Sequence, residues 1–199
     1  MTSTLILASS SEVRARLLRN AGLVIETATA RVDEEAVRRA LTAEEATPRD
    51  VADTLAEMKA RRISDRYPGK LVLGCDQVLD CRGTIFAKPE TPDQAESQLR
   101  ALSDRTHRLL SAAVVLKDGE PLWRHVGEVR LTMRRISESY LPDYVARNWE
   151  SIRHSVGAYK LEEEGVRLFS RIEGDYFTIL GLPLIELLTW LGIRGDIAT

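Results

Sequence analysis

Cysteine is scarce in this 199-residue chain: there are two, Cys75 and Cys81, close together and without metal-ligand spacing around them. They exclude a disulfide framework and are expected to be reduced thiols. Charge of one sign is also missing, since 28 basic and 30 acidic residues leave a net −2. The chain therefore has no global basic field for nucleic acid or a membrane surface. Aromatic residues are 6% of the chain, which offers few stacking platforms and further disfavours nucleic-acid binding. No apolar run is long enough to span a bilayer, and Met1-Thr-Ser-Thr-Leu-Ile-Leu7 has no basic segment before it reaches polar serines, so neither a signal peptide nor a membrane span is expected. The expected location is the cytoplasm. Walker loop, dinucleotide fingerprint, zinc spacing and nucleophile elbow are all lacking, as are repeats, low-complexity tracts and linkers.

What is present is enough apolar material, 44% of the residues, to bury one substantial core, and residues 1–199 are expected to form a single domain. Thr4 to Ala8 reads as a buried strand, followed by Ser9-Ser10-Ser11-Glu12, a capping pattern that opens a helix ending near Gly22. Leu23 to Thr27 reads as a short strand. Asp33-Glu34-Glu35 opens a helix with first-turn acids that suit its dipole, and Thr47-Pro48 opens a longer one that stops at Tyr67-Pro68-Gly69. Leu71 to Val78 is apolar at consecutive positions, the pattern of a strand buried on both faces. Asp76 would stand at its carboxyl end, where ligands gather in such sheets, with Gly74 allowing close backbone approach.

Asp80-Cys-Arg-Gly83 is then a turn and Thr84 to Phe86 a returning strand. Pro89 holds Lys88 in an extended backbone that would aim its ammonium toward Asp76. A helix from Thr91-Pro92 to Leu102 precedes two long strands, Arg108 to Leu116 and Leu122 to Met133, paired antiparallel around residues 117–120. Ser137 to Trp149 is helical, Val166 to Ile172 and Tyr176 to Leu180 read as strands, and Gly181-Leu-Pro183 starts the last helix. Helices interspersed with strands, antiparallel pairs included, indicate a mixed α/β fold.

The chemistry legible in this order is a kit for a polyanion. Backbone N–H groups and the helix dipole face any phosphate placed over Ser9 to Ser11, and Arg14 reaches the same point. Lys59 and Lys88 add cations, and Glu34 and Asp76 add carboxylates. Cations on phosphate oxygens, a carboxylate-held divalent metal and a base for water are what phosphoryl transfer requires. His107, His125 and His154 are scattered and read as structural or exposed.

Leu7-Ala-Ser-Ser-Ser-Glu-Val-Arg14, Asp33-Glu34, Lys59-Ala60, Gly74-Cys-Asp-Gln-Val78, Lys88-Pro89, Gly157-Ala-Tyr-Lys160 and Gly181-Leu-Pro183 together resemble the Maf family in order and spacing across nearly the whole chain. The resemblance implies an α/β fold with a mixed central sheet flanked by helices, in the elongated, two-lobed Maf/ITPase-like form with a cleft, and usually a homodimer. It implies a nucleoside triphosphate pyrophosphatase that clears modified or noncanonical nucleotides, cutting between the α and β phosphates with a divalent metal, Mg2+ or Mn2+. Asp76 matches the catalytic acid of the family. Ser9, Arg14, Lys59 and Lys88 match its phosphate-binding residues, and Glu34 with Asp76 its metal-holding acids.

Ser11-Glu12-Val13-Arg14 departs from the family's Ser-Pro-Arg-Arg, which removes one arginine and adds a negative charge near the phosphate turn. Glu162 stands where the branch acting on thymidine and uridine triphosphates has glutamine, as in the branch acting on 7-methyl-GTP, and Gln77 also resembles that branch. A carboxylate accepts but does not donate, so it suits the adjacent N1–H and N2–H₂ donors of guanine better than a pyrimidine edge. The alternative, from the family's older description, is a regulatory binding protein of cell division and septum formation.

Overall fold

The computed structural model describes residues 4–198. Its strands are β1 (Leu5–Leu7), β2 (Ile25–Thr27), β3 (Leu71–Cys81), β4 (Thr84–Phe86), β5 (Thr106–Lys117), β6 (Glu120–Met133) and β7 (Phe169–Glu173). Its helices are α1 (Glu12–Asn20), α2 (Glu34–Ala43), α3 (Pro48–Ser64), α4 (Pro92–Leu102), α5 (Tyr140–Ile152), α6 (Tyr176–Ile179) and α7 (Leu184–Arg194). The sheet runs β2-β1-β3-β5-β6-β7, with β4 also on β3. It is mixed: β1 lies parallel to both β2 and β3, whereas β3–β4 and β6–β7 are antiparallel.

The chain forms two compact units. The first takes the chain up to Gln77, then Leu110–Gly127 and everything from Tyr176 on; the second takes Val78–Leu109 and Glu128–Asp175. In the first unit, strand alternation assigns each face a task. Leu71, Leu73 and Cys75 share one face of β3 and pack with Leu5 and Leu7 of β1, Leu17 and Leu18 of α1, and Leu184, Leu187 and Leu191 of α7. Gly74 and Asp76 point to the opposite face, toward α3. A Cβ at Gly74 would sit 2.0 Å from the Ala56 carbonyl oxygen and 2.7 Å from the Ala60 nitrogen, so only glycine lets helix and strand approach this closely.

The buried face of α3 is Val51, Ala52, Leu55, Ala56, Lys59, Ala60 and Ile63, the i, i+3, i+4 stripe of a helix laid on a core. Lys59 falls within that stripe, so the same packing that buries Leu55 and Ile63 carries its ammonium inward. Thr47 closes the helix start as a capping box with Asp50, with Pro48 in the first turn, as the sequence pattern predicts.

Four expectations are corrected. Asp76 is not at the carboxyl end of its strand but within it, because Val78, Leu79 and Cys81 are also buried and β3 continues to Cys81. The turn that ends β3 is Arg82-Gly83, both at positive φ (54° and 84°), and Asp80 is a strand residue whose Oδ1 accepts the Gly83 N–H at 2.9 Å. Residues Val166 to Ile172 are not all strand: Glu164–Leu168 is a 3-10 turn and only Phe169–Glu173 is β7. Gly165 has no room for a Cβ, which would lie 2.4 Å from the Lys160 carbonyl oxygen, and this close approach coils the segment. Tyr176 to Leu180 is a short helix, closed by the Leu180 N–H on the Tyr176 carbonyl at 3.2 Å. Gly174 at φ 132° separates it from β7, so its aromatic and β-branched composition does not decide its conformation.

Candidate active site

The first unit gathers six of the residues singled out from the sequence. Asp76 is 3% exposed and Lys59 8% exposed. A buried ammonium is tolerated only beside counter-charge, and Lys59 has two carboxylates: Nζ lies 2.6 Å from Asp76 Oδ1 and 2.7 Å from Glu34 Oε1. Glu34 comes from the first turn of α2, capped by Asp33, whose side chain accepts the Ala36 N–H at 3.0 Å. Three elements thus meet at one ammonium, and the two carboxylates proposed for metal are bridged by a lysine.

Arg38, four residues after Glu34, joins them. Its Nη2 lies 3.4 Å from Glu34 Oε2 and 3.8 Å from Asp76 Oδ2. Sequence reasoning missed it, since the only signal was an i, i+4 spacing that usually marks a solvated ion pair. With two carboxylates and two cations, the cluster balances in charge. One acceptor is left over: Asp76 Oδ2 is buried and has no hydrogen-bond partner among the described residues.

The serine turn lies on the same unit. Ser11 caps α1 by accepting the Arg14 N–H, and Ser9 Oγ accepts the Ser11 N–H at 3.2 Å and Arg14 Nη1 at 3.4 Å. With both lone pairs engaged, the Ser9 hydroxyl has its proton to donate. Arg14 Nε donates to the Gly181 carbonyl at 2.7 Å and Nη1 to the Cys75 carbonyl at 3.2 Å. The guanidinium therefore ties the serine turn to the residue before Asp76. Gly181, at φ 91°, has Arg14 Nη2 2.9 Å from where a Cβ would stand; this close approach is what the Gly181-Leu-Pro183 motif serves. Burial pushes the Cys75 thiol up to about 11, so it is no nucleophile at neutral pH.

Gln77, on the face opposite Asp76, donates from Nε2 to Ser111 Oγ (2.9 Å) and to the carbonyls of Thr178 (3.2 Å) and Ile179 (2.9 Å). Its amide nitrogen holds the end of α6.

Lys88 and Glu162 belong to the second unit. Lys88 is exposed between β4 and α4, and Glu162 is half-buried in the turn before the 3-10 segment. The acidic run 162–164 is divided in its work. Glu163 accepts from Ser151 Oγ at 2.7 Å and pairs with Lys160 at 3.4 Å. Glu164 accepts from Arg147, Asn148 and Tyr140, each at 2.8 Å, and these donors, led by Arg147, hold its carboxyl down at about 2. The loop before the run is anchored by Tyr159, whose hydroxyl lies 2.7 Å from His107 Nε2 and whose ring packs edge-on to Phe169 at 4.8 Å. His107 is structural, and burial pushes it down to about 4.

Residues 4–193 match the family described as Maf-like protein. The chain belongs to the Maf family. It is 66% identical over 99% of its length, and 99% of the relative's, to a protein of Roseobacter denitrificans named nucleoside triphosphate pyrophosphatase. It is 49% identical, over 99% of both chains, to a protein of Mesorhizobium japonicum named 7-methyl-GTP pyrophosphatase. Among solved structures it is similar to a HAM1 protein from Coxiella burnetii, at 17% identity and a TM-score of 0.47, over 67% of this chain and 74% of that one. Among the described residues of this Maf-family chain, no helix is long and apolar enough to cross a membrane, and both cysteines are free thiols.

Among those residues no group of three or more histidine, cysteine or acidic side chains converges as a metal cage. Mg2+ asks for less, since one or two carboxylates plus substrate phosphates and water complete its octahedron. Glu34 and Asp76 are hard oxygen donors drawn together, and Asp76 Oδ2 has no hydrogen-bond partner among the described residues. This donor set fits such an ion.

Proposed function

We propose that this Maf-family chain is a nucleoside triphosphate pyrophosphatase that hydrolyses the α–β phosphoanhydride of modified or noncanonical nucleotides to nucleoside monophosphate and pyrophosphate. It is a hydrolase acting on phosphoanhydride bonds. The observation that carries the reading is the Asp76 carboxylate: one oxygen held at 2.6 Å by Lys59, the other buried and without a hydrogen-bond partner among the described residues. A carboxylate fixed at one end with a lone pair free at the other is arranged to take a proton from water.

In the proposed step a water on Asp76 Oδ2 attacks the α phosphorus and its proton passes to Oδ2. The bond from phosphorus to the bridging oxygen breaks, and pyrophosphate leaves with the electron pair. Ser9, Arg14, Lys59 and Lys88 are assigned to the phosphates. A divalent cation, Mg2+ or Mn2+, would be held by Asp76 and Glu34 and would supply neutralisation of charge on the phosphate oxygens. Gln77 and Glu162 are assigned to the base. Glu163 and Glu164 are engaged in bonds within the protein, which leaves Glu162 as the carboxylate of the run for a ligand and favours guanine-type bases, 7-methylated ones included. A cytoplasmic homodimer completes the proposal.

The test is a panel of standard and modified nucleoside triphosphates with products separated by chromatography, run on the native chain, Asp76→Asn and Glu162→Gln. Monophosphate and pyrophosphate are expected, best from guanine-type substrates, with Asp76→Asn slower by about two to four orders of magnitude and Glu162→Gln shifted toward pyrimidines. Diphosphate with orthophosphate, or near-native turnover in a folded Asp76→Asn, overturns the reading. An unchanged base preference in Glu162→Gln removes that residue from base selection.

A further inference from the structure

We propose that Arg38 is a further catalytic residue, placed to stabilise the charge that builds on the attacked phosphate; this rests on the reading of Asp76 above. Helix α2 has no fully buried residue. The Arg38 side chain is nevertheless only 18% exposed and lies against the Glu34–Asp76 pair. A guanidinium carries five N–H donors. Here Nε is buried with no partner among the described residues, and Nη2 makes one long contact, 3.4 Å, to Glu34.

Asp76 Oδ2 is 3.8 Å from Arg38 Nη2, beyond hydrogen-bond reach, so Oδ2, like Arg38 Nε, is buried without a hydrogen-bond partner among the described residues. Buried donors with no acceptor are costly, and an acceptor that arrives with the ligand removes the cost. A water on Oδ2 stands roughly 2.6–3.2 Å from it, and the phosphorus it attacks about 3–3.5 Å further on. Nonbridging oxygens on that phosphorus come within reach of a guanidinium beside Oδ2. Lys59 is less available, since its ammonium already sits at 2.7 Å or less from two carboxylate oxygens. Arg38 is the cation with donors to give as the phosphoryl oxygens gain charge.

If Arg38 only held Glu34 in place, its loss would weaken nucleotide binding and lower kcat together. The experiment measures kcat and KM for Arg38→Gln and Arg38→Lys beside Asp76→Asn. Calorimetry adds the Kd of a triphosphate whose α–β bridge is a methylene group, and thermal melts confirm folding. A transition-state contact predicts kcat lower by about 10²-fold or more in Arg38→Gln, with KM and the analogue's Kd within about threefold of native, and partial recovery in Arg38→Lys. Native-like kcat in folded Arg38→Gln, or a lowered kcat accompanied by a matching weakening of analogue binding, overturns the assignment while leaving Asp76 untouched. Activity retained in Asp76→Asn overturns both.

Discussion

At the scale of single residues, the site is governed by how few partners each buried charge has. Lys59 keeps Glu34 at 2.7 Å if Asp76 becomes asparagine, so that variant loses the proposed base without stranding the ammonium, and a folded, inactive protein is the expected outcome. Arg14 is different. Its guanidinium bonds the Gly181 and Cys75 carbonyls at 2.7 and 3.2 Å, so Arg14→Ala removes the proposed phosphate contact and leaves buried acceptors unmet. Stability should fall by about 1–3 kcal/mol, seen as a lower midpoint in urea, together with a fall in kcat/KM. Arg14→Lys should not restore either, because a point ammonium cannot reproduce the fork. A variant that loses activity with unchanged stability would show that Arg14 serves the ligand alone.

At the scale of elements, the decisive contact is between α3 and β3. Gly74 and Asp76 share a face of the strand, and Ala56, Lys59 and Ala60 share a face of the helix. The helix must lie flat on the glycine for the lysine to reach the carboxylate. In Gly74→Ala the new methyl meets backbone atoms at 2.0 and 2.7 Å, which no side-chain rotation relieves. Overpacking of this kind costs about 3 kcal/mol, and the helix that moves away takes Lys59 from Asp76. A drop of that size in the urea midpoint, with turnover lost in the protein that remains folded, is the expected result. Native stability in Gly74→Ala would mean the helix shifts freely and does not hold the site.

At the scale of the whole molecule, the first unit carries Asp76, Lys59, Glu34, Arg38, Arg14 and Ser9, and the second carries the loop with Tyr159 and Glu162. That loop is pinned by a neutral histidine. Burial lowers His107 from 6.5 to about 4, so between those values the unfolded chain binds more protons than the native one, and stability falls as pH drops through this window. Above pH 6.5 the contribution is fully present. One such group gives a slope of up to about 1.4 kcal/mol per pH unit. Melting curves from pH 7 to pH 4 should show this loss, and His107→Gln, though less stable at pH 7, should show a shallower slope. Equal slopes in both proteins would place the acid sensitivity elsewhere.

Sequence by itself determined the elements whose signals are local. Caps at Asp33, Thr47 and Thr91 stand where the pattern placed them, because a cap depends on a side chain and a backbone N–H three residues on; the first helix instead takes Ser11 as its cap, with Glu12 already its first residue, rather than the Ser9–Glu12 capping box. The ordered motifs were enough to place the chain in the Maf family, since their spacing survives whatever lies between. Local pattern failed where a distant neighbour decided the outcome. Asp76 lies within a strand because its apolar continuation finds burial, and Tyr176 to Ile179 coils although its side chains suit a strand. Arg38 is not singled out by the sequence, for nothing in residues 34 to 38 records that β3 brings a second carboxylate to it. Only the tertiary structure turned a helical lysine into a buried bridge between two acids, because burial and counter-charge belong to pairs of residues far apart in the chain.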